Sequence, residues 1–343
     1  MPRRCPPAAH GRLAVGPGDA VARGVRVGSA RGCSARQGSV RAEAVRERPA
    51  WEGFVRVGGV PHHVVVEGSG PVCVLSAGLA MSWFDWDPLV PLLAPHRTVV
   101  RFDRPGHGLS GPPAVAPSAA GEAHRIAGLL DALAALGGPA AGPVTAAGPV
   151  TVVGHSIAGF HAEAFARLHP GRTAGVVLVD TSVEEHARVP AAPAIRTAFA
   201  RAVAAALSAA GAPAALGPLT RRAVVRLSRP GLAPDPAPAA LVRRCYATSR
   251  VLDGALLENT HYQAVAAELL ALRERHPLPQ GVPVTLLAAP TSPRWTARQR
   301  TLADLLHARL ETVPDTGHLL MLDRPDALAA AILTQKPPVP TRT

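Results

Sequence analysis

The chain has 343 residues, 48% of them apolar, with 36 Arg plus Lys against 24 Asp plus Glu and a formal net charge of +12. That length admits one α/β core with an insertion, and the apolar content is ample for a buried core. The charge is not a nucleic-acid signature: residues 1–50 hold ten Arg against Asp19, Glu43 and Glu47, so +7 lies there and only +5 in the rest. No aromatics interleave with those arginines, so no nucleic-acid partner is expected.

Residues 1–50 also lack hydrophobic periodicity and any apolar run long enough for a signal-peptide core or a membrane span. They read as a disordered Arg-rich leader on a cytoplasmic protein with no membrane span. Cys5, Cys33, Cys73 and Cys245 show no CxxC spacing and are expected to be reduced thiols. HExxH and paired CxxC patterns are absent, so neither a metal nor an organic cofactor is implied.

From Trp51 onward, short β-branched runs alternate with Ala/Leu-rich stretches of helical spacing, which predicts an α/β fold with a mostly parallel sheet flanked by helices on both faces. A hairpin of 53–58 and 62–67 around Gly58-Gly59 comes first, followed by strands at 72–77, 98–103, 150–154, 174–180, 283–289 and 309–313. The clearest helices are 118–136, 157–169, 296–307 and 325–333. The near-repeat of Gly142-Pro-Val-Thr in Gly148-Pro-Val-Thr reads as a loop insertion. Residues 182–280 break the alternation: they carry no convincing strand, Pro190, Pro193, Pro213 and Pro218 separate helical pieces, and Pro230–Pro238 forms a loop. A helical segment after the sixth strand, at the edge where open parallel sheets place ligands, is read as a lid. The core is then 51–181 and 281–335, with a flexible tail at 336–343.

The run Val150-Thr-Val-Val-Gly154-His155-Ser156-Ile157-Ala158-Gly159 carries the chemistry. A β-branched strand ends in G-x-S and passes directly into a helix, which is the architecture of a nucleophile elbow. The same G-x-S occurs at Gly32-Cys33-Ser34 and Gly108-Leu109-Ser110, but neither lies between a strand and a helix. A serine hydroxyl needs a base to take its proton. His318, in Thr316-Gly317-His318 after the last strand, is the base assigned to it. His107, His155, His161 and His169 are placed less well, and His62-His63 point to opposite faces of a strand, so they cannot chelate one metal together.

Together with Arg101-Phe-Asp103-Arg-Pro-Gly-His-Gly-Leu-Ser110, these motifs in this order resemble the α/β-hydrolase superfamily over residues 52–335. The resemblance implies an eight-stranded sheet and a triad in the order Ser, acid, His. It also implies an oxyanion hole from the backbone N–H of Ile157 and of Leu79, in the loop Ser76-Ala-Gly78-Leu79-Ala-Met81. Most relatives carry the acid after the strand that here reads Val284-Thr-Leu-Leu-Ala-Ala, and no Asp or Glu follows it before Asp304. Another branch takes it from the end of the preceding strand, so Asp180 is assigned, with Glu184 and Glu185 as substitutes. Alternatively Asp180 merely caps the turn. Gly78, Trp83 and His155 are expected to border the substrate; Trp83, Phe84 and Trp86 either wall an apolar acyl pocket or belong to the core.

The implied function is a serine hydrolase cleaving a small-molecule carboxylic ester, thioester or related acyl bond. A cofactor-free haloperoxidase-like or carbon–carbon hydrolase would use the same triad, and the fold also serves non-catalytic ligand-binding proteins. Serine at 156 argues against the dehalogenase and epoxide-hydrolase branches, which need a carboxylate there.

Overall fold

Trp51–Val57 (β1) and Val60–Glu67 (β2) form the expected hairpin, closed by Gly58 and Gly59 at φ 57° and 78°. Two consecutive left-handed residues make the tight turn that matches strand twist, and glycine adopts them without strain. The computed structural model describes residues 51–137 and 148–335. The Arg-rich leader, the first copy of the Gly-Pro-Val-Thr repeat, Cys5, Cys33 and the tail at 336–343 fall outside the described residues.

Val72–Ser76 (β3), Thr98–Phe102 (β4), Val150–His155 (β5), Thr173–Val179 (β6), Val284–Ala288 (β7) and Arg309–Thr312 (β8) complete an eight-stranded sheet in the order β1-β2-β4-β3-β5-β6-β7-β8. β2 runs antiparallel to β4, and from β4 onward every neighbour is parallel. The central strands are buried along nearly their whole length. Strands covered on both faces carry continuous Val/Leu runs instead of alternation. Burial pushes the thiols of Cys73, on β3, and of Cys245, in the segment between β6 and β7, each up to about 12.

One face is covered by Val90–Leu93 (α1) and, at the chain's end, Leu320–Asp323 (α9) and Pro325–Thr334 (α10), packed on Cys73, Leu75, Val153 and Val177. The other is covered by Ala119–Leu136 (α2), Ala158–Leu168 (α3) and Pro293–Leu305 (α8). Helix α2 starts at Ser118, whose side chain accepts from Gly121 N, and α8 at Ser292, which accepts from Trp295 N. Such caps satisfy N–H groups that a first turn leaves unpaired.

Between β6 and β7 lie Pro193–Ala209 (α4), Ala212–Leu227 (α5), Ala239–Tyr246 (α6) and Ser249–Arg275 (α7), with no strand among them. Pro193 starts α4 and Pro213 sits in the first turn of α5, positions that need no N–H donor. Pro218 corrects the expected break: α5 runs straight through it. A proline disfavours helical backbone in the residue before it through that residue's Cβ, and Gly217 has none. A side chain there would also strike the Tyr246 carbonyl. Among the described residues no single helix is long and apolar enough to cross a membrane.

Candidate active site

Ser156 follows β5 at φ 55°, and helix α3 begins two residues later. A left-handed serine is strained backbone, tolerated where the surroundings over-determine it. Here its N–H donates to Val179 O (3.1 Å), and its own carbonyl accepts from Gly159 N (2.9 Å) and Ser182 N (3.1 Å). A Cβ on Gly154 would collide with the Ala158 carbonyl, and one on Gly159 with the Thr181 hydroxyl. Only glycine permits the turn to close that tightly.

His318 stands in the loop after β8, its N–H held by Ser228 O at 3.0 Å. Its Nδ1 lies 2.6 Å from Asp180 Oδ2. Asp180 sits immediately after β6 at φ 39° and is buried, with His318 partly exposed. The other carboxylate oxygen accepts from Ala289 N (3.0 Å) and from the Trp295 indole N–H (2.8 Å). Glu184 bonds Tyr262 and approaches Arg298, and Glu185 approaches Arg298 as well; neither reaches His318. The segment after β7, from Ala289 into the first turn of α8, therefore supplies two donors to Asp180 and no carboxylate of its own.

His155 packs beside this pair, its ring centroid 4.6 Å from that of His318, and its Nε2 donates to the His318 carbonyl at 2.8 Å. Burial, then the neighbouring His318 and Arg104, pushes its pKa well below the usual imidazole value. Burial likewise brings His62 and His161 down to about 4. All three are neutral when folded. As pH falls below about 6.5 the unfolded chain takes up protons that the native state refuses, so stability is full above that value and lost toward pH 4. Each buried imidazole adds up to about 1.4 kcal/mol per pH unit in that window. Urea unfolding at steps between pH 7 and 4.5 should show this slope, and His161→Leu should flatten it; a slope unchanged by His161→Leu would count against the assignment.

The loop after β3 is tied down from behind. Arg104 donates to the Ala77 carbonyl and, at 2.9 Å, to the Gly78 carbonyl, which also accepts from Met81 N at 3.1 Å. Tyr246 OH donates to Ala80 O at 2.7 Å. In a trans peptide the N–H points opposite the C=O, so holding Gly78 O directs the Leu79 N–H the other way. The N–H groups of Ile157 and Leu79 donate to no described group. Gly78 packs directly against His155 and the Ser156 Cβ, leaving no room for a side chain.

Arg104 is itself buried and gripped through Nε and Nη2 by Glu258 of α7 at 2.8 and 2.9 Å. Burial alone would raise the Glu258 carboxyl, but Arg104 and His107, 3.2 Å away, outweigh it and hold it below the carboxylate range. Helix α7 comes this near because Gly254 meets the backbone of Gly106, where either Cβ would clash.

Ser156, His155 and His318 open onto a cavity of about 430 Å³ whose walls are mainly Leu79, Met81, Leu216, Val224, Val225, Val251, Leu252 and Leu319. Arg221 of α5 also borders it, but its guanidinium is bound by Asp85 and, through Nε at 3.1 Å, by Asp235. That charge is already neutralised. Trp83 corrects the expectation for the pocket: it is buried against His63 and Phe84, its backbone N–H donates to Asp103 Oδ1, and it lines no part of the cavity. Phe84 and Trp86 are likewise core residues.

The profile of the alpha/beta hydrolase family matches residues 72–331. A 2-(acetamidomethylene)succinate hydrolase of Mesorhizobium japonicum is 29% identical over 126 residues, 37% of this chain and 41% of that protein, so the match spans less than half of the relative. The solved structure of Cfl2 from Burkholderia cenocepacia superposes with a TM-score of 0.65 at 22% identity, over 82% of this chain and 94% of that one. An enol-lactonase from Burkholderia xenovorans LB400 gives 0.55 at 22% identity, over 82% and 98%. These two likenesses establish a common fold. With the family profile running from the start of β3 into α10, the chain belongs to the alpha/beta hydrolase family.

Proposed function

We propose that the protein is a serine hydrolase that cleaves carboxylic esters, thioesters or related acyl bonds through a covalent acyl-enzyme. The observation that carries this reading is the left-handed Ser156 sharing one cavity with a His318 whose Nδ1 is bound to Asp180. With Nδ1–H committed to the carboxylate, Nε2 is the lone-pair nitrogen. It takes the Ser156 proton as Oγ attacks the carbonyl carbon, and returns it to the leaving alcohol or thiol. The Ile157 and Leu79 N–H groups bind the oxyanion of the tetrahedral intermediate. Water, deprotonated by the same nitrogen, then releases the acid. Asp180 fixes the tautomer and stabilises the imidazolium without itself being protonated. The mainly apolar wall favours an uncharged acyl group of small to medium length, and helices α4–α7 act as its lid.

A fluorophosphonate probe tests the nucleophile. Labelling of the wild type that disappears in Ser156→Ala is the expected result, whereas a folded wild type that resists labelling would leave a ligand-binding protein. A series of p-nitrophenyl esters of graded acyl length then reads the pocket.

A further inference from the structure

Helices α4 and α5 contain no Asp or Glu over residues 193–227, yet carry Arg196, Arg201, Arg221, Arg222 and Arg226. Arg221 and Arg222 pair with Asp235. Arg196, Arg201 and Arg226 are exposed and form no ion pair with any described residue. Beside them Ile195, Phe199, Leu216, Leu219, Val224 and Leu227 are between 55% and 74% exposed. The spacing of Ile195 with Phe199, and of Leu216 with Leu219 and Leu227, puts each set along one side of its helix. Patches of this kind on a soluble surface mark a binding site.

The two helices together reach the hydropathy of a membrane span, but a 105° bend separates them. They have 17 and 16 residues, and a span needs about 20 in one rod. A bent, arginine-flanked apolar pair is built to lie in an interface instead of crossing it. Cations with no ion-pair partner among the described residues complement anionic headgroups. Leu207, Leu216 and Val224 are at once exposed and part of the cavity wall, so the mouth opens onto the patch.

We propose that α4 and α5 dock into the surface of an anionic lipid bilayer, with the cavity mouth facing the membrane, so that substrates bearing an apolar acyl chain pass from lipid to Ser156. The passage to Ser156 rests on the hydrolase reading; the docking does not.

Flotation of the full chain with phosphatidylcholine vesicles, with and without phosphatidylglycerol, reads the docking directly. The wild type is expected to float with the anionic vesicles. Phe199→Ser/Leu219→Ser should weaken partition at least about ten-fold, and Arg196→Glu/Arg226→Glu should weaken it on anionic vesicles. Both variants should hydrolyse a short, soluble p-nitrophenyl ester at the wild-type rate, because none of these residues lines the cavity. A wild type that stays with the vesicle-free fraction overturns the proposal. So does undiminished binding of Phe199→Ser/Leu219→Ser, which would assign it to the ten arginines of residues 1–50. A wild-type dimer that the same variant splits would make the patch a contact between copies of the chain, and overturns it too. Lipid binding without ester hydrolysis would keep the docking and remove the hydrolase reading.

Discussion

Asp180→Asn is expected to lower kcat/KM on a p-nitrophenyl ester by about ten-thousand-fold while leaving the unfolding transition nearly in place. The side chain accepts from three donors: His318 Nδ1, Ala289 N and the Trp295 indole. An amide of the same shape keeps an oxygen for two of these donors, but its NH₂ facing His318 favours the imidazole tautomer with hydrogen on Nε2. That nitrogen can then no longer accept the Ser156 proton. Glu184→Gln serves as the contrast, since Glu184 faces Tyr262 and Arg298, and its rate should stay within about two-fold of wild type. A loss below about ten-fold in Asp180→Asn would remove Asp180 from the triad.

Glu258→Ala should cost about 3–5 kcal/mol of stability, because it leaves the buried Arg104 guanidinium without its carboxylate. Activity should fall as well. With Arg104 free to move, the Gly78 carbonyl loses its anchor and the Leu79 N–H its aim, and one oxyanion donor is worth about 10²–10³ in kcat. The two effects separate in Arg104→Met/Glu258→Leu. Replacing a buried pair by apolar side chains of similar volume restores much of the stability, but it does not restore the anchor. Urea unfolding and steady-state kinetics on the single and double variants are the measurements. A double variant that regains both stability and kcat would make the pair a packing element alone.

The parts of this molecule legible in its sequence were those set by neighbours along the chain. β-branched runs gave the eight strands, the Gly-Gly pair gave the hairpin, and G-x-S between strand and helix located Ser156. Asp180 follows from the resemblance, in which one branch takes its acid from the end of the strand preceding the usual one, and the structure sets its carboxylate 2.6 Å from His318 Nδ1. The Arg104–Glu258 grip joins residues 154 apart, and no local pattern marks such a pairing. Trp295 was hidden for a related reason. It starts α8 as an ordinary first-turn residue, and only the sheet order brings its indole to Asp180. Trp83 misled because aromatic residues after a loop look alike whether they face a cavity or the Asp103 turn. Pro218 reads as a break on its own, but the glycine before it carries no Cβ for the proline ring to clash with, so the helix continues.

The contact of Gly254 with Gly106 has a further consequence for exchange between relatives. Where two backbones touch without side chains between them, each is shaped to the other, and the Arg104–Glu258 grip beside the contact fixes their register. Helix α7 and the turn from Arg104 to Gly108 thus form a matched pair. A chimera that receives residues 182–280 from another hydrolase must receive that turn as well, although some seventy residues of unrelated core separate the two along the chain.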